Sequence, residues 1–394
     1  MDSKKQCRSL KLMPLVLGLG ILISPDTLVR LGDFMGNTGW TGLAVLTVAT
    51  ALFLLLAPAL EKQQAVRKKP GVNTFFPLIL KFSATLFLST GVLVSSGFVF
   101  NEVFIYWFPN FGFAFTLLAL VLGIHLAGIQ AALKAQVVFV SLTLICLLSL
   151  IIPGLAAPGS TAPAFPDQMP GLSVFFVPLL LWVGVDLGAL SPGSGKTGYH
   201  KISNALGVTI TLAGIIFLLW GVVSILQVPL GKLSGSSIPH LKTARAIMGD
   251  QGRYLMGAVI IFGSLSGVNA LFTACRMTAA GIAGSGFLPR GIDRYVPFVL
   301  AAGTGLMMAM GLAGGENLEI WIQAVFILWL LSYSGIFSGH RKISPAAILI
   351  YTGSAMLLFS GEAWQLKTVY FLVILITAWI PGVLLSLKSS FRKK

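Results

Sequence analysis

Charge is what this chain has least of. Only 10% of its 394 residues are Asp, Glu, Lys or Arg, and only 12 are acidic; soluble domains carry about 25% charged residues. So few charges cannot cover a water-facing surface, which excludes a soluble enzyme and a disordered chain alike. Cysteine is nearly as scarce. Cys7, Cys146 and Cys275 stand far apart, two of them inside apolar runs, so there is neither a disulfide framework nor a metal-ligand spacing. No metal or cofactor is expected. Apolar residues make up 56% of the chain and the mean hydropathy is +0.90. A bundle of membrane-spanning helices, each needing about 20 apolar residues, is the class that remains.

Apolar runs between charged or Pro/Gly-rich breaks give twelve expected spans, at about 11–31, 36–59, 74–100, 111–130, 133–157, 171–191, 204–228, 252–280, 294–313, 318–337, 345–360 and 367–388. The net charge of +15 is divided unevenly among their connections. Lys4, Lys5, Arg8, Lys11, Lys62, Arg67, Lys68, Lys69, Lys81, Lys134, Lys196, Lys201, Arg276, Arg290, Arg294, Arg341, Lys342, Lys388, Arg392, Lys393 and Lys394 fall on one side, 21 of the 27 basic residues. The other side holds Arg30, Lys232, Lys242, Arg245, Arg253 and Lys367 with most of the acids. Positive loops stay in the cytoplasm, so both termini are expected there, in a bacterial inner membrane. The basic residues are scattered over short loops, and no nucleic-acid partner is expected. The basic start followed by LKLMPLVLGLGILIS has no small-x-small cleavage pattern after it and reads as an uncleaved first span.

Two spans break the rules of the bilayer. The first puts Gly18, Gly20 and Pro25 into one short apolar run; the sixth puts Gly184 and Gly188 around Asp186. Irregular backbone at membrane depth is tolerated only within protein or beside water. Five spans apart, the two segments run in opposite directions, the arrangement of an inverted repeat with its ligand site at the interruptions. Unwinding at Gly18–Gly20 would free N–H groups at a positive helix end for a carboxylate. Carbonyls freed near Val183 would accept bonds from an ammonium. A ligand with both groups is an amino acid.

These elements resemble the amino acid–polyamine–organocation superfamily of permeases. GLGILISP is similar to its G-x-G-I/V-F-x-x-P element, and Gly36-Asn-Thr-Gly39-Trp40 to the G-x-x-G-W start of its second helix. WVGVD resembles the sixth-helix element. Ala244-Arg-Ala-Ile-Met-Gly249-Asp-Gln-Gly252 followed by SLSGVNALFTACRMTAAGIAGSGFLPR resembles the entry and body of the eighth. The short length and loops look most like compact bacterial permeases, including neutral amino-acid exporters.

The resemblance implies an all-α polytopic membrane protein of twelve transmembrane helices. Within it, a five-plus-five inverted repeat (1–157 and 171–337) has discontinuous helices 1 and 6, and two further spans occupy 345–388. It implies secondary active transport of an amino acid by alternating access, as exporter or exchanger. Gly18, Leu19 and Gly20 would then hold the substrate carboxylate, and carbonyls near Val16, Trp182 and Val183 the amine. Ile21 and Gly184 belong to the same interrupted segments. Leu180, Trp182, Asn269 and Leu271 would border the side-chain pocket, with Trp182 as a gate. Aligned on Gln136, Thr143 stands where many proton-coupled members have Lys. The family's loop after helix 6 is reduced to SPGSGKTGYHKISNA.

Asp186 is the foremost coupling candidate, because a carboxylate at mid-membrane costs about 2.5–3.5 kcal/mol on insertion scales; its bland reading is a hydrogen bonder that closes the break. Asp26 and Arg30, at i and i+4, read as a local ion pair or part of an outer gate. Arg276 reads as snorkelling to the interface, and His125 as a packed polar residue. Ser264, Ser266 and Thr273 read as hydroxyls bonded within their helix before they read as sodium ligands. Gly193-Ser-Gly-Lys196-Thr197 is like the end of a phosphate loop, but position 190 is Leu and no strand precedes it, so it reads as a hinge. The competing function is a non-transporting amino-acid sensor on the same membrane fold. An enzyme is not expected.

Overall fold

The computed structural model describes residues 3–66, 76–159, 165–166, 170–189, 205–234, 236, 238–284, 288–312, 316–334 and 345–391. With no water at membrane depth, an apolar run satisfies its backbone by coiling, and among the described residues the regular structure is entirely helical. The chain begins with α1 (Ser3–Leu22), α2 (Pro25–Thr38), α3 (Trp40–Val66), α4 (Phe76–Val103), α5 (Asn110–Leu126) and α6 (Ile129–Ala156). A 3-10 turn (Leu172–Phe176), α7 (Val177–Leu180) and a second 3-10 turn (Val185–Ala189) replace a continuous sixth span. There follow α8 (Ala205–Gln227), α9 (Leu230–Ser234), α10 (Pro239–Gly284), α11 (Val296–Ala309), α12 (Glu316–Ser334), α13 (Pro345–Leu358) and α14 (Trp364–Phe391). Six stretches among the described residues are long and apolar enough to cross a membrane, and the bent pair α1–α2 makes a seventh. Shorter apolar helices at 110–126, 317–333, 346–358 and 364–377 fall on expected spans. The protein is an all-α polytopic membrane protein. Val48, Leu55, Ile145, Ile152, Leu306 and Ile376 are exposed on its helix surfaces, an apolar coat that suits lipid and not water.

Two boundaries differ from the sequence expectation. The second span starts at Trp40, because Gly36 to Thr38 still belong to α2. The eighth grows into the 46-residue α10, kinked at Met248 and Gly249. Gly249 holds φ +60°, a left-handed conformation that costs glycine little, and a Cβ at Gly252 would collide with the Ala244 carbonyl. The Gly249-x-x-Gly252 spacing is thus a requirement of the kink.

The helices sort into two packed groups. α1, α2, α3, α8 and the 3-10 turn Val185–Ala189 pack mainly on one another; α4, α5, α6, α10, α11 and α12 form the second group. The interrupted segments lie where the groups meet, with α1 against both α6 and α10. Beyond them, Lys367 at the start of α14 is no loop charge. It is buried, and its Nζ donates to the carbonyls of Leu357 and Ser360, both at 3.0 Å, at the end of α13.

Candidate functional site

The first interruption lies later than expected. α1 stays helical through Gly18, Leu19 and Gly20 to Leu22 and breaks at Ile23 and Ser24. The last bonds of the ladder are Ile23 N to Leu19 O at 2.9 Å and Ser24 N to Ile21 O at 3.3 Å. Pro25 has no N–H to offer and restricts the residue before it, so the ladder stops there. Extended Ser24 (φ −78°, ψ 157°) starts α2, which departs at 53° from α1. The glycines serve close approach instead. A Cβ at Gly18 would meet Thr209 at 2.7 Å and Gly188 at 3.3 Å, and one at Gly20 would strike the Gln136 amide. The positive helix end is therefore at Ser24 to Thr27 and not at Gly18–Gly20. Asp26 occupies that first turn and forms a two-point pair with Arg30 at 2.8 and 3.2 Å. The local ion-pair reading holds.

The sixth span is interrupted where the sequence placed it. Residues 181–184 form turns between α7 and the second 3-10 segment. Gly184 has φ +90°, and Ile21 lies so close that a Cβ there would stand 2.7 Å from it. The two interrupted spans thus touch directly. Trp182 is fully buried, stacked on Phe53 with ring centres 5.6 Å apart and edge-on to Phe217 at 5.6 Å.

Asp186 sits in a built polar nest. Trp329 Nε1 donates to its Oδ1 at 2.9 Å and Tyr333 Oη donates to the same oxygen at 3.0 Å. Tyr333 Oη in turn accepts the Gly184 N–H at 3.0 Å. Lys81 Nζ lies 3.2 Å from Oδ2. This is an ion pair without ordinary hydrogen-bond alignment. Lys81, expected in a basic loop, is instead 2% exposed inside α4. A buried charge persists only when paired, and Asp186 supplies the pairing. One signal was readable: Lys81 stands within the apolar run 78–103, away from the basic cluster Arg67-Lys68-Lys69.

A second node was missed by sequence. Gln136 on α6 donates through Nε2 to the Val16 carbonyl at 3.2 Å and to Ser266 Oγ at 3.0 Å. Its Oε1 accepts from Asn269 Nδ2 at 2.7 Å, which also donates to the Ala132 carbonyl at 2.9 Å. One side chain thereby ties α1, α6 and α10 beside Gly20. An amide within an apolar stretch was the available signal. Thr143 bonds its own helix at Phe139 O, 2.8 Å, while its methyl faces Gly263, whose other neighbours are the Ile23 carbonyl and the Pro25 ring. It does stand at the first interruption. Leu19, Leu180, Val183 and Leu271 are buried.

Other candidates find structural partners. Ser264 accepts from Ser96 at 2.6 Å and donates to the Val92 carbonyl at 3.2 Å, both on α4, so it bonds across helices where a bond within its own was expected. Thr273 is buried. His125 packs on Phe272 at 5.6 Å. Arg276 donates to the His125 carbonyl at 3.0 Å and lies 3.7 Å from Asp293, paired within the protein where snorkelling was expected. Residues 193–197 lie outside the described residues. Among the described residues no three His, Cys, Asp or Glu side chains converge.

No family model matches the chain, and no curated protein is similar to it in sequence. Solved structures are similar in fold. Mhp1, a nucleobase-cation-symport-1 family transporter in a closed conformation with bromovinylhydantoin bound, aligns with TM-score 0.56 and 16% identity over 96% of this chain and 93% of its own. A mutant of the Eremococcus coleocola manganese transporter gives TM-score 0.63 and 14% identity over 100% and 97%. The same transporter with an aromatic bis-isothiourea compound gives 0.60 and 14%, also over 100% and 97%. The chain therefore shares its fold with these solved transporters over 96–100% of its length.

Proposed function

We propose that the protein is a secondary transporter of small neutral amino acids that works by alternating access. The observation that carries this reading is the buried meeting of two interrupted spans, Ile21 against Gly184 and Gly18 against Gly188, on a fold shared with transporters. Interrupted helices at the centre of such folds present backbone groups to a polar ligand.

The surroundings favour a ligand without net charge. Asp186 is matched by Lys81, and the other residues assigned to the site in this reading, Val16, Leu19, Ile21, Leu180, Trp182, Val183, Leu271 and Asn269, are buried and apolar or amide. The Val16 carbonyl lies within unbroken α1 and already receives an N–H from Gln136, so a substrate amine at that place would have to displace the Gln136 amide. Residues 1–157 and 171–337 form the two repeats in this reading, with 345–388 added. Both termini face the cytoplasm of a bacterial inner membrane, as the basic residues indicate.

Counterflow tests the proposal. Proteoliposomes loaded with unlabelled leucine, methionine or another neutral amino acid should accumulate the labelled form saturably, above protein-free liposomes. Saturable binding without accumulation would favour the sensor reading, and neither binding nor flux with any amino acid would overturn both.

A further inference from the structure

We propose that the recess between α4, α10 and α11 is a binding site for an anionic glycerophospholipid. One acyl chain lies in the recess, and the phosphate of the same molecule meets Arg290 and Arg294. The inference does not depend on what the protein carries.

The recess suits hydrocarbon. It is a cavity of about 210 Å³ with no polar atom on its walls. Leu78 and Phe82 of α4, Ala279 of α10, Ile292 and Tyr295 of the connection and Val299 of α11 line it. A water needs only about 10–15 Å³, but it also needs two to four polar partners. This cavity offers the room without the partners. Its inner end is shut, since a Cβ at Gly303 of α11 would stand 2.7 Å from Leu86 of α4. Its outer side is open, because Tyr295 and Val299 are 65% and 55% exposed.

Its depth is that of the first methylenes of a lipid. Leu78 and Phe82 stand two and six residues into α4, Val299 three into α11, and Ala279 five before the end of α10. All are thus about 3–9 Å from a helix end. The bent pair α1–α2 and then α3 make the first two crossings, so α4 starts on the face where α1 begins. From the recess, exposed Tyr295, Val299, Ala302, Leu306 and Met310 follow one face of α11. Tyr295 to Leu306 covers about 16 Å, close to the hydrocarbon depth of one leaflet. An acyl chain seated at Val299 has an apolar track along its whole length.

Charge at the mouth selects the headgroup. Arg290 and Arg294 are exposed and flank Ile292 in sequence. Asp293 lies 3.7 Å from Arg276, and among the described residues no carboxylate pairs with Arg290 or Arg294. Arginine binds phosphate through two N–H groups at once, and basic sites between helices on the cytoplasmic side take anionic headgroups. A choline headgroup would carry a cation back to the two arginines and cancel the attraction.

Native mass spectrometry of the detergent-purified protein tests the site. Phosphatidylglycerol and phosphatidylcholine with the same chains are added at equal concentration, and the first bound copy of each is counted. The parent should bind phosphatidylglycerol at least about fivefold more. Arg290→Gln/Arg294→Gln should bring the ratio near one. Lys134→Gln, which removes another exposed cation, should leave it unchanged. Val299→Phe fills the recess from its exposed side and should lower binding of the first phosphatidylglycerol at least about threefold. A parental ratio near one would overturn the proposal. So would a preference that survives the arginine pair variant, or binding unaltered by Val299→Phe, the marks of ordinary boundary lipid. Displacement of the lipid by inorganic phosphate at equal concentration would overturn it too, because a bare anion would then suffice.

Discussion

A lysine and an aspartate buried 3.2 Å apart are worth more to each other than to the fold. A well-packed apolar pair is often as stable as a buried ion pair, whereas removal of one partner strands the other at a cost of about 3–5 kcal/mol. Lys81→Met or Asp186→Asn alone should therefore lower the melting temperature of the detergent-purified protein far more than the two changes together. A double variant as unstable as either single variant would contradict that ordering. Glycines divide in the same way. Gly184→Ala must accept φ +90° and a Cβ 2.7 Å from Ile21, and should cost about 1–3 kcal/mol. Gly207→Ala in α8 meets no atom within 4 Å and should be neutral or stabilising by up to about 1 kcal/mol. Thermal shift assays of the two variants side by side decide this. At this scale the sequence revealed Asp186, because a carboxylate in an apolar run is conspicuous on its own. It did not reveal Lys81 as partner, since a contact between residues 105 positions apart leaves no periodic trace in either helix.

Among elements, the interrupted first span teaches the most. Glycine-rich Gly18-Leu-Gly20 suggested the break, yet glycine only permits unwinding, whereas proline removes a donor and enforces it. Both signals were in GLGILISP, and the second one governs the backbone. Pro25→Ala returns an N–H to the ladder and should let α1 run on into α2. If the 53° turn is part of the transport machinery, the variant should fold normally and lose roughly tenfold or more in initial transport rate; an unaltered rate would show that the bend is incidental. The break in the sixth span was placed correctly because glycine, a carboxylate and a short run all pointed to it. Gln136 served only as an alignment mark, and its role as a tie between helices was hidden for the reason that hid the partner of Lys81: its three partners lie on α1 and α10, 120 to 133 residues away.

For the molecule as a whole, twelve apolar runs were legible from hydropathy alone, because a bilayer leaves the backbone no alternative to the helix. What hydropathy cannot supply is the sorting of those helices into two groups with the interruptions between them. Withdrawing Lys81 and Lys367 from the loops takes one basic residue from each side and preserves the imbalance that predicts cytoplasmic termini. A fluorescent protein fused after Lys394 should therefore mature and fluoresce in a bacterial host, while an alkaline phosphatase fusion at the same point should be inactive; the opposite pair of results would reverse the orientation.

Alternation between the two faces is most directly measured as trans-stimulated efflux. Proteoliposomes are loaded with a labelled neutral amino acid, and its exit is followed with and without the same unlabelled compound outside. A single site alternately exposed by the two helix groups predicts saturable acceleration of exit by the external compound. Exit at the same rate with and without it, at every concentration and for every neutral amino acid, would contradict the account.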